Sequence, residues 1–522
     1  IKLKYITLKG YYIMASTKHK DPAAKPKEKY SVQQALTNYY LLIMFTLFPL
    51  FFTDAYFNIR HDKYYFFIIL TGILVIAEFL IIMTASVDKP PEDSKLEKPK
   101  PKHLYEELSF MDWAFIVFLG INVISTLLSA NPLDALLGTQ GRNNGLVLMA
   151  FYTAAYFMIT RCFKYFEYIF VALAFGSMIV YALAILNAFY VDPFGMFPLL
   201  NEQQTIDFTS TIGNKNLLSS YICIAMPVMI AMSVITKKTL LRAIYLIATG
   251  FGFAALMTAD SDSGILGMAV FMVIYLIWFS NSLVRLKRFF LSATVMLLFA
   301  KLLRLFSLCF DDKSKGFDKF QEIFVFSGIG WILLAACAVI TGILYLIDYK
   351  KPNITISKAV PIALTVVFGL CAVAMIGIMV YFSCIDTKTD LGSFERIIRF
   401  NDIWGTHRGF MWIRSIWIFG DASFIEKLFG VGPDMFYSAF SPYFDDLSKY
   451  GDSSTNAAHN EYLNYLITIG ITGLLSYLAI VCGTIKNAVK YAKENPMLIA
   501  CVSAGICFSV QSVQHFLPRI LV

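Results

Sequence analysis

Long apolar stretches separated by short polar ones run through almost the whole chain. Apolar runs of about 18 to 25 residues recur, the length that a helix needs to cross the hydrocarbon core of a bilayer. The pattern predicts an all-α fold, a polytopic transmembrane helical bundle of about 12–14 spans with one large extracytoplasmic loop region. We place these spans near residues 39–56, 64–84, 113–130, 146–160, 168–190, 217–235, 244–258, 265–279, 289–306, 323–347, 360–384, 462–485 and 498–515.

The longest polar interval begins after Cys384 and ends near Asn460. It predicts a division of the chain into a disordered basic cytoplasmic tail (1–37), an N-terminal transmembrane bundle (38–384), an extracytoplasmic catalytic loop (385–460) and C-terminal transmembrane helices (461–522). We expect the apolar helices to hold this polar interval against one membrane face. It contains four arginines, three tryptophans and two histidines: Arg396, Arg399, Arg408, Arg414, Trp404, Trp412, Trp417, His407 and His459.

Basic residues are distributed unevenly between alternate loops. If the Lys-rich tail is cytoplasmic, the loops with clustered Lys and Arg fall on the same side, as bacterial and eukaryotic membrane proteins prefer. The interval 385–460 then lies on the opposite face, together with the shorter loops 133–145, 192–215 and 260–263. We therefore expect the chemistry of this chain on the extracytoplasmic face.

Composition excludes several classes of function. The chain is 57% hydrophobic and 15% charged, with a mean hydropathy of +0.63, whereas a soluble protein carries about 25% charged residues. Apart from Glu78, Lys301 and Arg304 the spans are nearly free of charge, and no internal repeat is visible, which argues against an ion-coupled transporter. No cofactor motif and no metal-ligand spacing occurs, so we expect neither a cofactor nor a metal, and no nucleic-acid partner.

Arg408 stands at the start of an apolar, Trp-rich segment that includes Trp412 and Trp417. Such a segment is expected near the membrane interface, where an arginine can hold a phosphate bidentately. Binding of lipid headgroups, or simple snorkelling of the side chain, explains the same pattern equally well.

His459 precedes an apolar stretch that predicts a helix. With Asn456 as N-cap, His459 would be the third helical residue. At that position the positive end of the helix dipole disfavours the imidazolium, so the ring stays neutral and can accept a proton. A histidine that makes a structural hydrogen bond at a helix start is the commoner case, and His407 is the rival base.

Four blocks in the second half of the chain resemble the C-terminal signature of the O-antigen ligase and polymerase superfamily. They are Arg408-x-x-x-Trp412, Leu428-Phe-Gly-Val-Gly-Pro433, Ala458-His-Asn-Glu-Tyr-Leu-Asn464 and Gly470-x-x-Gly473. Two upstream loops, Gly138-Thr-Gln-Gly-Arg-Asn-Asn-Gly145 and Gly213-Asn-Lys-Asn216, are similar to loop motifs of the same superfamily.

The resemblance implies a GT-C-like, metal-independent, inverting glycosyltransferase of the bacterial cytoplasmic (inner) membrane. Such an enzyme moves a glycan from an undecaprenyl-diphosphate carrier to a hydroxyl of a glycan, lipid or cell-wall acceptor. The resemblance further implies that Arg408 contacts the diphosphate and that His459 is the base. The remaining candidates for substrate binding are Arg142, Arg414, Lys215, Asn460, Glu461 and Trp412.

One departure from the family pattern concerns a second arginine, which would contact the diphosphate in addition to Arg408. Family members often carry an arginine in a Ser-Arg-Gly block, but the corresponding stretch here has Ser263 at that place. Arg414, Arg142 or Lys215 could replace it. The acceptor is left open by the residues, so a protein O-oligosaccharyltransferase of the same superfamily and a non-enzymatic flippase or transporter of lipid-linked glycans are the alternatives.

Overall fold

The computed structural model describes residues 31–53, 58–84, 107–139, 142–310, 313–317, 319–352, 354–492 and 497–514. Most of the predicted tail and the last eight residues of the chain lie outside the described residues. Across the described ranges the chain forms helices and no strand. The first eleven are α1 (Val32–Leu50), α2 (Ile59–Thr84), α3 (Phe110–Leu128), α4 (Pro132–Leu137), α5 (Leu146–Cys162), α6 (Glu167–Ala188), α7 (Glu202–Asp207), α8 (Lys215–Ile235), α9 (Thr239–Thr258), α10 (Asp262–Phe279) and α11 (Leu283–Ser307).

The second half of the chain contains two long apolar helices, a series of mostly shorter helices, and two long helices at its end. These helices are α12 (Lys319–Val325), α13 (Gly328–Lys350), α14 (Ala359–Val380), α15 (Glu395–Ile398), α16 (Trp404–Asp421), α17 (Phe424–Phe429), α18 (Phe436–Phe440), α19 (Phe444–Ser448), α20 (Glu461–Thr468), α21 (Gly470–Tyr491) and α22 (Met497–Gln514). The predicted extracytoplasmic loop thus contains five short to medium helices, α15 to α19.

Ten helices in the described part of the chain are long and apolar enough to cross a bilayer. Helix α5 and residues 498–507 of α22 are apolar but shorter. The protein is a multi-pass membrane protein, and the predicted all-α polytopic bundle is confirmed.

The core of the bundle surrounds α8. In the most apolar 18-residue window of α8, 83% of the residues are buried, whereas in the corresponding window of α14 none is. Helices α6, α9, α10, α11 and α22 pack around α8 and supply most of the hydrophobic core. Helix α14 contacts α10 but has no fully buried residue, as expected of an apolar helix at the edge of a membrane bundle.

Helix α1 begins at Val32, within the segment predicted to be a disordered tail. Ser31 and Gln34 form a capping box, in which each side chain accepts a hydrogen bond from the other residue's backbone amide. These reciprocal bonds satisfy two of the amides that a helix start leaves unpaired, which fixes the helix start seven residues before the predicted span.

The predicted span 462–485 is instead two helices, α20 and α21, with a break at Ile469 and Gly470. Gly470 has a φ of +70°, which L side chains rarely adopt. A Cβ at Gly470 would overlap the carbonyl of Leu428, so the break is shaped by the segment packed against it. Hydropathy alone does not detect this break because both halves are apolar.

Loops that the charge pattern assigns to one side meet at one end of the bundle. Lys215 pairs with Asp260 at 2.7 Å, and Thr139 binds Asp434. At the other end, Lys238 pairs with Glu167 at 3.2 Å, and Lys287 pairs with Asp348. The end formed by the loops 133–145, 202–215 and 428–461 is called the motif end below.

Candidate functional site

A cavity of about 450 Å³ opens at the motif end of the bundle. Its wall contains loop residues, among them Arg142, Asp434 and His459, and residues of α3, α5, α8, α20 and α21. The volume lies within the range of about 300–1,000 Å³ that is typical of small-molecule sites. The cavity therefore has the size and position expected for a substrate site next to the motif loops.

The loop 138–145 closes on itself through its two terminal glycines. A Cβ at Gly138 would overlap the backbone of Asn143, and a Cβ at Gly145 would overlap the backbone at Gly138. Gly138 also has a φ of +86°. Only glycine permits this close approach, which explains why the motif begins and ends with it.

Asp434 anchors this loop from the other side of the chain. Its Oδ2 accepts hydrogen bonds from the backbone amides of Thr139, at 2.9 Å, and Asn144, at 3.2 Å. The side chain is buried, and this burial raises the pKa of Asp434 to about 6, although Arg142 and the two amides act in the opposite direction. One carboxylate thus ties Thr139 to Asn144.

Arg142 lies in the loop that Asp434 anchors and contributes its guanidinium to the cavity wall. One guanidinium nitrogen donates a hydrogen bond to the carbonyl of Asn456 at 2.6 Å, and Nε is buried without a partner. Burial lowers the pKa of Arg142 to about 10, and the nearby carboxylates of Asp434 and Glu461 oppose this shift. At neutral pH the side chain is therefore cationic and keeps one donor unused.

The glycine turn 428–433 packs into the break between α20 and α21. The amides of Val431 and Gly432 donate to the carbonyls of Ile467, at 3.1 Å, and Thr468, at 2.9 Å. The break leaves these carbonyls without helical partners, so the turn satisfies them. A Cβ at Gly430 would overlap the backbone of Thr468, so this close approach requires glycine. The glycine turn and the Gly470 block are therefore the two sides of one contact.

His459 lies before helix α20 rather than inside it. The N-cap is Asn460, whose side-chain oxygen accepts from the amides of Tyr462 and Leu463, so the prediction that Asn456 caps the helix is wrong. His459 has a φ of +52°, and its Nε2 lies 3.4 Å from the hydroxyl of Thr455. The ring is half-buried and faces the cavity.

Glu461 is the first residue of α20 and also lines the cavity. Burial raises the pKa of Glu461, against the effects of a hydrogen bond from Tyr465 and of the positive charge on Arg142. Asn460, by contrast, uses its side chain to cap α20. The two neighbouring candidates therefore differ: Glu461 offers a carboxyl to the cavity, and Asn460 fixes the start of the helix.

Arg408 lies on α16 and is not part of the cavity wall. Among the described residues its guanidinium has no hydrogen bond or ion pair, and burial lowers its pKa while Asp262 at the start of α10 attracts its charge. A cation that is partly buried and uncommitted is suited to an anionic ligand. Arg408 thus interacts electrostatically with Asp262 and not with the residues of the cavity wall.

Lys215 is the first residue of α8, which the side chain of Asn214 caps. It pairs with Asp260 at 2.7 Å and lies 3.5 Å from Asp207. Ser263, at the position of the missing arginine, contacts Ser261 at 3.1 Å, and Ser261 contacts Ser219 of α8 at 3.0 Å. Ser219, Ser261 and Ser263 therefore form a network of hydroxyls where α8 packs against the start of α10.

Arg414, Trp412 and His407 belong to a separate cluster that stabilises α16. Arg414 forms an ion pair with Asp402 and lies over the ring of Phe410 at 3.9 Å. The ring of Trp412 packs 5.0 Å from that of Trp404, and the ring of His407 packs 4.8 Å from that of Tyr450. None of the three lines the cavity, so the structure does not bring these candidates to His459.

Sequence reasoning missed Asp434 and a group of polar helix residues in the cavity wall. Asp434 directly follows the glycine turn, and its φ of +61° is the kind of position that Asp tolerates. The helix residues are Asn122, Tyr152, Asn464, Tyr465 and Tyr477. In the sequence these residues are recognisable only as polar residues within or next to apolar spans. That they line one cavity depends on how the helices pack.

A comparison with protein families finds a match in the second half of the chain. Residues 323–478 match the family model described as O-antigen ligase. The matched segment includes Arg408, the glycine turn, His459 and the α20–α21 break, while the loops 138–145 and 213–216 lie outside it. No curated protein matches the chain. Residues 323–478 are therefore similar to the O-antigen ligase family, and the resemblance of the motifs to the O-antigen ligase superfamily is confirmed.

Proposed function

We propose that this protein transfers a glycan from an undecaprenyl-diphosphate carrier to an acceptor hydroxyl during assembly of a cell-surface polysaccharide. The match to the O-antigen ligase family supports the class of membrane enzyme. One observation supports the finer proposal: His459, Arg142 and Glu461 line a single cavity, and the motif blocks 138–145, 428–433 and 458–464 contribute residues to its wall. The site would lie at the extracytoplasmic face of the bacterial inner membrane, because the basic loops favour the opposite side.

In this proposal His459 is the general base. The acceptor oxygen loses its proton to the ring and bonds to the anomeric carbon of the donor sugar, while the bond from that carbon to the diphosphate breaks. The electron pair leaves with the diphosphate. Attack from the face opposite the diphosphate inverts the anomeric centre.

Arg408 would neutralise the departing diphosphate. A diphosphate that leaves at a membrane surface requires positive charge, and a guanidinium binds phosphate oxygens in a bidentate fork. Among the described residues Arg408 forms no ion pair, whereas Arg414 is committed to Asp402, Lys215 is committed to Asp260, and Arg142 binds the carbonyl of Asn456. Lys215 remains a candidate to replace the missing arginine.

The lipid-linked glycan that a deletion strain accumulates distinguishes a polymerase from a ligase. We expect a deletion strain to accumulate lipid-linked glycan: single repeat units if the protein is a polymerase, and long lipid-linked chains if it is a ligase. Purified protein in liposomes should then transfer glycan from the accumulated donor. A deletion strain with an unchanged pool of lipid-linked glycans, together with no transfer in liposomes, would refute the proposal.

A further inference from the structure

The elbow where α16 ends and α17 begins exposes a patch of large apolar side chains. The patch consists of Ile416 and Trp417 near the end of α16 and Phe424 and Ile425 at the start of α17, which are 53%, 49%, 76% and 55% exposed. These four residues are the elbow patch. Exposed apolar side chains that are grouped in this way mark a surface that a membrane or another molecule covers.

The opposite sides of both helices are fixed to the protein. Phe410 and Met411 of α16 are buried in a hydrophobic cluster, and Ser415 is fully buried. At the start of α17, Ser423 and Glu426 form a capping box with hydrogen bonds of 3.3 and 2.8 Å. The elbow patch is therefore held in one orientation, away from the protein interior.

Helix α17 lies beside the first turn of a membrane-spanning helix. The carbonyl of Leu428 in α17 accepts a hydrogen bond of 2.6 Å from the hydroxyl of Thr472, the third residue of α21. Helix α17 also contacts α3, and both α3 and α21 are long and apolar enough to cross a bilayer. The elbow therefore lies at the level where these two spans reach the motif end.

The lipid-facing surface of these two spans continues into the elbow patch. Leu127 and Leu128 at the end of α3 are exposed, as are Ile471 and Leu475 near the start of α21. Exposed apolar side chains on a membrane span face the hydrocarbon of the bilayer. Because α17 packs against both spans with its inner side, its outer side faces the same surroundings.

Size and charge favour lipid over a second protein as the cover of the patch. A fully buried aromatic side chain contributes about 150–250 Å², so four side chains that are only half to three-quarters exposed fall short of the roughly 800 Å² per partner of a stable interface. Asp421 and Glu426 border the patch and are exposed. Charge is depleted in the core of protein interfaces, whereas an apolar face with charged edges and a Trp is typical of the membrane interface.

We propose that the elbow patch inserts into the membrane leaflet at the motif end and anchors α16 to the lipid surface. Arg408 lies eight residues before Ile416 on the same helix, about 12 Å along its axis. The anchor therefore fixes how far Arg408 stands from the layer of lipid phosphates. The consequence for Arg408 rests on the proposed function, whereas the membrane contact does not.

Photocrosslinking in liposomes of phosphatidylethanolamine and phosphatidylglycerol identifies what covers the patch. Phe424 of the full chain is replaced by the photoreactive residue p-benzoylphenylalanine. Exposed Leu475 of α21 is the positive control position, and exposed Ser453 is the negative one. We expect mass spectrometry to detect a phospholipid adduct at Phe424 and Leu475 but not at Ser453. A crosslinked dimer at Phe424, or the absence of a lipid adduct there, overturns the proposal.

The consequence for Arg408 is tested with the double variant Phe424→Ser/Ile425→Ser. Serine removes apolar surface without adding charge, and Phe424→Leu is the matched control that keeps the patch apolar. We expect the double variant to raise the KM for the lipid-linked donor about tenfold, with the acceptor KM unchanged. Its melting temperature in detergent should stay close to that of the wild type, because the replaced side chains are exposed. An unchanged donor KM overturns the positioning of Arg408 by the anchor.

The two measurements separate failure of this inference from failure of the proposed function. If Phe424 forms a lipid adduct but the wild type transfers no glycan, the anchor stands and the transferase proposal falls. If the wild type transfers glycan and Phe424 gives no lipid adduct, the anchor falls alone.

Discussion

Oδ2 of Asp434 accepts a hydrogen bond of 2.9 Å from the backbone amide of Thr139, across 295 residues of sequence. The same oxygen accepts from Asn144, so one carboxylate holds both ends of the loop that carries Arg142. Asp434 is not itself conspicuous in the sequence. It links the glycine turn, which packs on the α20–α21 break, to the loop at the start of α5.

The pKa of Asp434 gives a prediction with a definite sign. Burial raises this pKa to about 6, so between about pH 4 and pH 6 the native state holds a proton that the unfolded chain has lost. The contribution of Asp434 to stability is therefore greatest below pH 4 and is lost as the pH rises through 6. The difference is about 3 kcal/mol at most, since one pKa unit corresponds to about 1.4 kcal/mol.

Asp434→Asn removes this pH dependence and keeps a neutral side chain of the same shape. We expect its melting temperature, relative to that of the wild type, to rise from pH 4.5 to pH 7.5, while its transfer rate at pH 7.5 falls because Arg142 loses its counter-charge. Thermal unfolding in detergent at both pH values measures the first effect. A melting-temperature difference that is independent of pH would contradict the raised pKa.

Gly470→Ala tests the contact between the glycine turn and the helix break. A Cβ there overlaps the Leu428 carbonyl, and the φ of +70° is strained for alanine, so we expect a lower melting temperature and loss of transfer. Gly369→Ala is the matched control, because nothing lies within 4 Å of a Cβ at that position on α14. Equal stability of the two variants would mean that the turn does not need this close approach.

Arg408 and Arg414 are expected to behave differently although both lie on α16. Arg408→Lys keeps the charge but loses the bidentate fork, so it should impair transfer substantially, and Arg408→Ala more so, with little change in melting temperature. Arg414→Ala breaks an ion pair with Asp402 and should mainly lower stability. Wild-type turnover in Arg408→Ala would remove this residue from the site.

Activity should survive EDTA. In the described part of the chain no group of three or more His, Cys, Asp or Glu residues could hold a metal ion. The charge of the leaving diphosphate is assigned to arginine instead. Loss of transfer on chelation, with recovery on addition of Mg²⁺ or Mn²⁺, would point to Asp260, Asp262, Asp445 or Asp446.

The sequence predicts the membrane bundle well because apolar length is a direct signal of a span. It also predicts which loops share an end, since charge is sorted by side. The start of α1 is missed because a capping box, not hydropathy, determines it. The break at Gly470 is missed because the neighbouring turn determines it.

The motifs that contain the candidate site residues were predictable from the sequence, but the positions of these residues relative to one another were not. His459 is a candidate from its motif alone, yet its position before the helix depends on which asparagine caps, Asn456 or Asn460. Arg408, Trp412 and Arg414 lie in the same stretch of sequence. Only their packing in the structure shows that Arg414 and Trp412 contact neighbouring side chains while Arg408 forms no ion pair. Asn464 and Tyr477 are ordinary polar residues in apolar helices until those helices meet around one cavity.

In the proposed reaction His459 takes the proton from the acceptor hydroxyl. The most direct measurement is the transfer rate at pH 7.5 of liposomes carrying His459→Gln, His407→Gln or the wild type, with donor binding measured in parallel. Glutamine can make hydrogen bonds but cannot accept this proton, so His459→Gln should bind donor normally and transfer about 10²–10⁴-fold more slowly. His407→Gln should stay within a few-fold of the wild type. A near wild-type rate in His459→Gln would contradict the account and show that His459 is a structural residue.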